Sequence, residues 1–371
     1  MKVVILHDAL PPDARPDELD VLVQAECVKE ALHRLGHACT ALPLGLDLER
    51  SAAGLRESAP DLVFNLVESV GGTGRLIHLA PSLLDHLRIP YTGARAEAMF
   101  LTSNKLLAKQ ILATHGIDTP AWLRANASQS HDGKKAIARG REEPLPNGRG
   151  SDIPRGSDMP HGDDRVPRSE GSERHDGALA AAYIIKSVWE EASLGLDDDA
   201  VFRPGSFEEL AREVGMRAER LGGEAFAEAF VEGREFNLAL LAGPDGPELL
   251  PPAEIRFVDY PADRPRIVGY KAKWQEDSHE YNNTPRTFDF PAADATLLDA
   301  LCDVARRCWD TLGLAGYARV DFRVDSDGRP WVLEVNANPC LSPDAGFMAA
   351  ARQAGLDMTG VVRRLVDGAL L

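Results

Sequence analysis

The residues with the clearest chemical potential lie in two short segments, 316–322 and 331–339, separated by a turn that contains Asp327-Gly328. Two largely apolar segments joined in this way predict a β-hairpin. Because side chains alternate along a strand, each strand presents its polar residues on one face. These residues are Arg319, Asp321 and Arg323 on the first strand, and Glu334, Asn336 and Asn338 on the second.

If the register of the hairpin brings the two polar faces together, two carboxylates and an amide converge beside an arginine. Hard oxygen ligands of this kind suit Mg²⁺, especially when phosphate oxygens complete its coordination shell. The alternative is a solvated face with cross-strand ion pairs. On the opposite face of the hairpin, apolar residues alternate cleanly along both strands, which predicts that the opposite face is buried in a core. A hairpin anchored in this way favours the metal site over a solvated face with ion pairs. The apolar residues are Val320, Phe322, Val332, Leu333 and Val335.

Two lysines could supply the positive charge that phosphate groups require. Lys105 lies in the first turn of a predicted helix, where the helix dipole disfavours a cation unless an anion binds nearby. A lysine that faces solvent is the alternative. Lys186 ends an apolar run at the edge of a predicted buried strand. Residues 228–235 then join two strands through a glycine turn, which can offer backbone groups to an adenine and a carboxylate to ribose hydroxyls.

The elements that must position these residues begin with an alternation of strand and helix. After an opening strand, a helix is predicted from Asp20, as its cap, to Gly36, followed by strands near 39–44 and 61–68 and a helix near 75–87. This β-α-β-β-α order predicts a parallel, Rossmann-like sheet. The glycines match neither the GxGxxG fingerprint nor the GxxxxGK[ST] motif, so neither a dinucleotide site nor a P-loop is indicated.

The rest of the chain has a different character. Residues 126–177 are rich in Gly, Ser, Pro, Arg and Asp, cannot bury enough apolar area to offset their ordering entropy, and are predicted to be a disordered insertion. Ser103 is the predicted cap of the helix before it. Strands interrupted by single helices follow, which is typical of an α+β fold. The predicted strands are 183–188, 225–231, 235–241, 249–257, 267–274, 316–325 and 329–337, and the predicted helices are 206–221, 293–312 and 357–370.

In this order, the motifs resemble those of the ATP-grasp superfamily, and most closely its D-alanine–D-alanine ligase-like branch. The resemblance runs along the chain apart from the insertion and is strongest in the segments GREFNLALL, GYKAKW, GYARVDF and LEVNANP. It implies a three-domain fold with α/β and α+β parts. The expected domains are an N-terminal Rossmann-like domain over 1–100, a central ATP-grasp subdomain over 101–228, and a C-terminal ATP-grasp subdomain with the metal and catalytic site over 229–371.

The resemblance also implies how a nucleotide is bound. Lys105 and Lys186 would contact the phosphates of ATP. Glu228 would bind the adenine amino group, Val231 would meet the adenine edge through its backbone, and Glu235 would bind the ribose.

The same resemblance implies the metal and catalytic residues. Asp321, Glu334 and Asn336 would hold two Mg²⁺ ions, with Mn²⁺ as a substitute. Arg319 would stabilise the phosphoryl group during its transfer. Lys273, in a mobile loop, would help to close the site.

Ligases of this family form an amide: ATP phosphorylates a carboxylate, and an amine attacks the acyl phosphate. The leading hypothesis is therefore an ATP-dependent carboxylate–amine ligase that acts on amino-acid-like substrates. The alternatives are D-alanine–D-alanine ligase proper and an ATP-binding regulatory module without ligase activity. Retention of Arg319 together with the three metal ligands argues against the module, because binding alone has little use for a residue that stabilises a transferring phosphoryl group.

The segments that would select the substrates depart from the pattern of the family. In place of the glutamate of the first loop, this chain offers Asp17 or Glu18. Where the family has His-Gly in its second loop, this chain has Glu68-Ser69, and Pro-Gly-Met near the C-terminus becomes Pro-Cys-Leu with Cys340 at its centre. We therefore expect D-alanine alone to support only weak turnover.

Composition restricts the partners and the location. Asp and Glu outnumber Lys and Arg by 58 to 41, which gives a formal net charge of −17 and disfavours nucleic acid as a partner. No run approaches the roughly 18 apolar residues of a membrane span. The five cysteines are scattered without a CxxC pair, so a reducing cytoplasm is expected. Ligases of this branch are often dimers, so the resemblance implies a homodimer.

Overall fold

The computed structural model describes residues 1–124, 179–190, 193, 195–196, 199–261 and 264–370. The predicted insertion at 126–177 lies outside the described residues. The described strands are β1 (Lys2–Asp8), β2 (Ala38–Leu44), β3 (Leu62–Asn65), β4 (Trp122–Arg124), β5 (Tyr183–Ser187), β6 (Val201–Phe202), β7 (Ala225–Ala229), β8 (Arg234–Gly243), β9 (Gly246–Leu249), β10 (Ala253–Ile255), β11 (Arg286–Thr287), β12 (Tyr317–Val324) and β13 (Pro330–Asn336).

The described α-helices are α1 (Pro16–Arg34), α2 (Leu48–Ser58), α3 (Leu79–Leu87), α4 (Ala96–Ser103), α5 (Lys105–Thr114), α6 (Phe207–Ala218), α7 (Tyr270–Trp274), α8 (His279–Asn282), α9 (Ala295–Leu312), α10 (Gly346–Gln353) and α11 (Met358–Ala369). None of these helices is both long enough and apolar enough to cross a membrane.

The N-terminal residues form a parallel sheet of three strands in the order β2-β1-β3. Both faces of its central strand are buried: Val3 and Ile5 pack with α1, whereas Val4 and Leu6 pack with residues of α2 and α3. A strand covered by helices on both faces reads as a continuous apolar run, as β1 does. The predicted Rossmann-like parallel sheet is confirmed.

Two predictions for this region are wrong in detail. Helix α1 begins at Pro16 with Arg15 as its N-cap, so Asp20 lies inside the helix and does not cap it. Helix α2 lies between β2 and β3 and was not predicted, which makes the order β-α-β-α-β. Asp47 caps α2 by accepting from the backbone N–H of Arg50 at 3.0 Å. The spacing of Leu48, Ala52 and Leu55 at i, i+4 and i+7 was a helix signal that sequence reasoning missed.

Two antiparallel sheets build the remainder. One has the strand order β4-β7-β5-β6, and the other has the order β11-β10-β8-β12-β13, with β9 also paired to β8. Helix α9 packs on one face of β8 and β12. Helices α10 and α11 pack with α1 against the other face of the same strands. The N-terminal unit and the larger antiparallel sheet therefore share one core, which holds them in a defined relative position.

The structure also corrects several predicted elements of this half. The predicted strand at 267–274 is wrong: α7 begins at Tyr270, and a short apolar segment cannot be assigned from its period alone. The predicted strand at 249–257 divides into β9 and β10 around the prolines at 251 and 252, which cannot donate a ladder hydrogen bond. Helix α10 was not predicted. The cap of α5 is Asn104, not Ser103, and it accepts from the backbone N–H of Leu107 at 3.0 Å.

Candidate active site

A cavity of about 500 Å³ opens between the N-terminal sheet and the two antiparallel sheets. Every residue for which the sequence predicts a functional role lines it. These residues are Lys105, Lys186, Glu228, Val231, Glu235, Lys273, Arg319, Asp321, Glu334 and Asn336. Their individual roles stay predictions, but their convergence makes this cavity the candidate active site.

The predicted hairpin is present as β12 and β13, and its register brings the two polar faces together. Arg319 lies opposite Asn336, and Asp321 lies opposite Glu334. On its other side β12 pairs with β8, where Asn237 lies opposite Asp321. The predicted convergence of two carboxylates and an amide is confirmed, and β8 adds an amide that sequence reasoning missed.

A β-bulge changes the orientation of one apolar residue in this hairpin. The register shifts after Asp321, so Leu333 is the extra residue on β13. Val332 and Val335 remain buried, but Leu333 is half-buried and lines the cavity. The prediction that Leu333 belongs to the buried apolar face is wrong, because a bulge re-aims the side chain of the extra residue.

Asp321 is held by two side chains. Arg319 donates from Nε and Nη2 to its two carboxylate oxygens, at 2.7 and 2.9 Å. Asn237 donates from Nδ2 to Oδ1 at 2.7 Å. A planar guanidinium that grips both oxygens of a carboxylate has a defined orientation, so Arg319 is presented to the cavity in a fixed direction.

Glu334 faces two ammonium groups. Its Oε1 atom lies 3.2 Å from Nζ of Lys105, and Lys105 also donates to the backbone carbonyl of Glu190 at 2.7 Å. Burial alone would raise the pKa of Glu334, but the charges of Lys105 and Lys273 outweigh burial and lower the pKa to about 2. Glu334 is therefore ionised at neutral pH.

These oxygen atoms fit a hard cation only in part. Within the described residues, no three His, Cys, Asp or Glu side chains form a group that could hold a metal. The hairpin offers two carboxylates and the amide of Asn336, and phosphate oxygens or waters must supply the remaining ligands of Mg²⁺. Because Lys105 now neutralises Glu334, a phosphate that attracts Lys105 would free this carboxylate for a metal ion. Asp321 accepts three hydrogen bonds from Arg319 and Asn237, so it can keep them and bind a metal ion through its remaining lone pair.

Glu228 joins two lysines in the interior. This carboxylate is 1% exposed, and its Oε1 atom lies 2.5 Å from Nζ of Lys186, while Oε2 contacts Lys109. Burial alone would raise the pKa of Glu228, but the two ammonium groups hold the pKa below its ordinary value. Sequence reasoning missed Lys109. Its spacing of four residues from Lys105, which places both on one face of α5, was the available signal.

Another part of the cavity combines apolar walls with a carboxylate. Glu235 of β8 lies 2.7 Å from the guanidinium of Arg323, which orients it. Apolar side chains beside a hydrogen-bonding carboxylate suit an aromatic base attached to a sugar. The apolar side chains of this wall are Ile184, Phe230, Val231, Ile255 and Leu333.

The first loop forms an acidic wall. Asp17 accepts a hydrogen bond from the hydroxyl of Tyr270 at 2.9 Å, and Glu18 accepts one from the backbone N–H of Arg15 at 2.8 Å. Both carboxylates line the cavity, so both stay candidates for the place of the family's first-loop glutamate. Tyr270 belongs to α7, so the hydrogen bond also ties α7 to the N-terminal unit.

The segment after β13 adds further polar groups. Asp20 of α1 accepts from the hydroxyl of Ser342 at 2.6 Å and from the thiol of Cys340 at 3.0 Å. Arg286 of β11 donates from Nη1 to the carbonyl of Asp344 at 2.9 Å. All five residues line the cavity, and sequence reasoning assigned no functional role to Asp20 or Arg286.

Asp8, at the end of β1, is a buried carboxylate of the same wall. Its oxygens accept from the backbone N–H of Glu68 at 2.8 Å and from the hydroxyl of Ser69 at 2.7 Å. Burial is the largest influence and raises the pKa of Asp8 to about 6 in spite of these hydrogen bonds.

This shift predicts a pH-dependent stability. A raised pKa means that the folded state binds the proton more tightly than the unfolded chain, in which the pKa is near 3.8. The stabilisation is fully present below about pH 4 and is lost as the pH rises through about 6. In urea unfolding, we expect wild type to lose about 2–3 kcal/mol relative to Asp8→Asn between pH 4 and 7. Asp13→Asn, in the exposed turn after β1, is the control, and a pH-independent difference between wild type and Asp8→Asn would contradict the prediction.

A parallel N-terminal sheet, two antiparallel sheets and a cavity of lysines and carboxylates between them are the arrangement of an ATP-grasp ligase. Residues 164–367 match the family model described as D-ala D-ala ligase C-terminus. The match covers more than half of the chain, so the chain belongs to this family of ATP-dependent, amide-forming ligases. The predicted fold class and enzyme class are confirmed.

Known relatives match along the chain. It is 27% identical to the D-alanine–D-alanine ligase of Gloeobacter violaceus over 100% of both chains, and 29% identical to that of Moorella thermoacetica over 94% of each. A solved structure of D-alanine–D-alanine ligase from Bacillus anthracis complexed with ATP has a TM-score of 0.65 at 16% identity and covers 100% of this chain and 97% of that one. The enzyme from Coxiella burnetii has a TM-score of 0.63 at 15% identity. These two likenesses show the fold.

Proposed function

We propose that this ligase joins the carboxylate of one amino-acid-like substrate to the amine of another, through an acyl phosphate made from ATP. A carboxylate oxygen attacks the γ-phosphorus and ADP leaves; the amine nitrogen then attacks the acyl carbon and phosphate leaves. The supporting observation is the convergence of four cations with two carboxylates on one cavity. These groups are Lys105, Lys186, Lys273, Arg319, Asp321 and Glu334.

The nucleotide is proposed to lie between the apolar wall and the lysines. The adenine would meet the backbone of Val231 and the carboxylate of Glu228, and the ribose would meet Glu235. Lys105 and Lys186 would bind the phosphates. Both ammonium groups already lie at the cavity, Lys105 beside Glu334 and Lys186 beside Glu228. Each would exchange its carboxylate partner for a phosphate oxygen when the nucleotide binds.

The hairpin is proposed to serve the transferring phosphoryl group. Asp321, Glu334 and Asn336 would hold Mg²⁺ or Mn²⁺, which neutralises phosphate charge when it is bound. Arg319, oriented by Asp321, would donate to the oxygens of the phosphoryl group in the transition state. Catalysis of this kind is mostly positioning and electrostatic stabilisation, and the cavity offers the charges for it.

Lys273 is proposed to bind the anionic substrate group. It is half-buried in the cavity, and burial, followed by the charge of Arg319, lowers the pKa of its ammonium group. A carboxylate or acyl phosphate placed beside it would supply the opposite charge and stabilise the ammonium form. Since α7 is tied to the first loop through Tyr270, Lys273 is also held near the acidic wall.

The proposed substrates differ from D-alanine alone. D-alanine, named for the relatives, is the alternative substrate. The acidic wall, Glu68 and Arg286 surround the space where the two substrates would meet, and a site built to hydrogen-bond particular groups rejects molecules that lack them. We propose that another amino acid, or a small peptide-like carboxylate paired with an amine, is used better than D-alanine alone.

The test is ADP release measured with D- and L-amino acids, singly and in pairs, with the mass of each product determined. We expect weak turnover with D-alanine and faster turnover with another pair. An Arg319→Ala preparation controls for contaminating ATPase activity. If D-alanine is the best substrate by a wide margin, the chain is a D-alanine–D-alanine ligase proper. Failure of every pair to release ADP would favour the regulatory-module alternative.

The predicted domain division remains a proposal. Two boundaries, after residues 100 and 228, separate the three predicted domains. The second boundary falls at the end of β7, whereas the first falls inside α4 (Ala96–Ser103), so a boundary after this helix fits the elements better. A homodimer and a cytoplasmic location likewise stay predictions.

A further inference from the structure

We propose that Lys109 is a positioning residue that allows Lys186 to leave Glu228 and bind a phosphate of ATP. The inference rests on the proposed nucleotide site and goes beyond it, because Lys109 itself does not line the cavity. It acts through Glu228, the carboxylate that it shares with Lys186.

The geometry separates a permanent partner of Glu228 from an exchangeable one. Lys109 is 2% exposed; it contacts Oε2 of Glu228 and donates to the hydroxyl of Thr119 at 2.5 Å. Lys186 lies 2.5 Å from the other oxygen, Oε1, but is only half-buried and lines the cavity. A ligand in the cavity can therefore reach Lys186, whereas Lys109 stays enclosed.

The charges of the three groups explain why two lysines are needed. Two ammonium groups and one carboxylate carry one net positive charge, which is available to a phosphate. Without Lys109, Lys186 and Glu228 would neutralise each other. Binding of a phosphate by Lys186 would then leave a buried carboxylate without its counter-ion, a strongly unfavourable arrangement. With Lys109 in place, Glu228 keeps one cation whichever partner Lys186 has.

The ionisation of Glu228 is consistent with this assignment. Burial lowers the pKa of the Lys109 ammonium group, and the charge of Glu228 opposes that shift. Burial would raise the pKa of Glu228, yet the charges of Lys109 and Lys186 lower it. The carboxylate is thus charged at neutral pH and needs a cation at all times. Thr119 also holds Nζ of Lys109, which contacts Oε2 of Glu228, whereas Lys186 contacts Oε1.

The experiment compares ATP affinity in Lys109→Met, Lys109→Met/Glu228→Gln and wild type. The single substitution removes the net positive charge of the cluster, so we expect ATP to bind about 10–100-fold more weakly, the effect of losing one hydrogen bond to a charged group. The double variant restores one net positive charge and leaves no buried carboxylate. It should therefore recover most of the lost affinity, although it carries more changes than the single variant.

Adenosine affinity is measured in parallel, because adenosine has no phosphates and should bind equally well to wild type and Lys109→Met. Glu228→Gln alters the proposed adenine contact, so the ATP affinity of the double variant is expressed relative to its own adenosine affinity. The exposed pair of Lys29 and Glu26, which also form a salt bridge, provides the matched control in Lys29→Met and Lys29→Met/Glu26→Gln. A purely structural role for Lys109 predicts that the double variant binds ATP as weakly as the single variant, or more weakly, and this result would overturn the inference.

Folding and the proposed function are tested separately. If Lys109→Met does not fold, the double variant is compared with Lys186→Met. The double variant must bind ATP at least about tenfold more tightly than Lys186→Met, because it retains the charged hydrogen bond from Lys186 to phosphate. Equal ATP affinities of these two variants would overturn the inference. If wild type binds ATP no better than adenosine, the proposed nucleotide site itself fails, and the inference falls with it.

Discussion

Replacing Glu334 with glutamine will lower kcat by about 10³-fold or more, since charge neutralisation by bound metal ions is a main source of catalysis in phosphoryl transfer. Glutamine has the same shape as glutamate but no negative charge, so the proposed metal site loses one anionic ligand. Glu334 is ionised at neutral pH, with a pKa of about 2, so the substitution removes a full charge. The measurement is the rate of ADP release as a function of Mg²⁺ concentration.

The fold should survive this substitution. Glu334 lies on the cavity face of β13, whereas Val332 and Val335 are the β13 residues that enter the core. Asp327→Asn, in the exposed turn of the same hairpin, is the matched control and should leave both activity and its Mg²⁺ dependence unchanged. Near-normal, Mg²⁺-dependent turnover by Glu334→Gln would show that the hairpin is not the metal site.

Replacing Arg319 with alanine will lower kcat by about 10²–10³-fold, the effect of removing one preorganised donor from a transition state. Arg319 is oriented by two hydrogen bonds to Asp321, at 2.7 and 2.9 Å. It is therefore presented to the developing charge without reorganisation during the reaction. We expect the KM for ATP to change far less than kcat, because the interaction forms chiefly in the transition state.

Single-turnover kinetics should locate the defect of Arg319→Ala in the formation of the acyl phosphate. Arg306→Ala, which removes a half-exposed arginine paired with Asp303 on α9, controls for the loss of one positive charge from an acidic chain. A defect confined to ATP affinity, with kcat intact, would mean that Arg319 binds ground state and transition state equally.

Much of the site could be predicted because its residues belong to local patterns. Alternation along β12 and β13 identified the polar face of the hairpin, and the turn at Asp327-Gly328 made the two strands antiparallel neighbours. The register that the structure adopts, with Arg319 opposite Asn336, follows from this turn and from the buried apolar face. Short-range geometry therefore sufficed for the part of the site that lies within one hairpin.

Other features could not be predicted, because long-range packing decides them. The bulge at Leu333 depends on how β13 fits against β12. Tyr270 begins a helix in a segment whose apolar pattern suits a strand equally well, and its hydroxyl contacts Asp17, 253 residues away. The burial of Lys109 depends on α5 packing against β7, which no pattern in α5 alone reveals.

Sequence patterns alone established the polar and apolar faces of the hairpin and the residue types that could bind phosphate and a metal ion, because these depend on spacings of two to four residues along the chain. The family resemblance, not the spacing, implied ATP. Tertiary packing determined which charges meet. Glu228 pairs with Lys109 and Lys186, and Glu334 faces Lys105, only because strands and helices distant in sequence are brought within ion-pair distance. Electrostatic interactions depend on distance in space and on burial, neither of which is encoded in the local pattern.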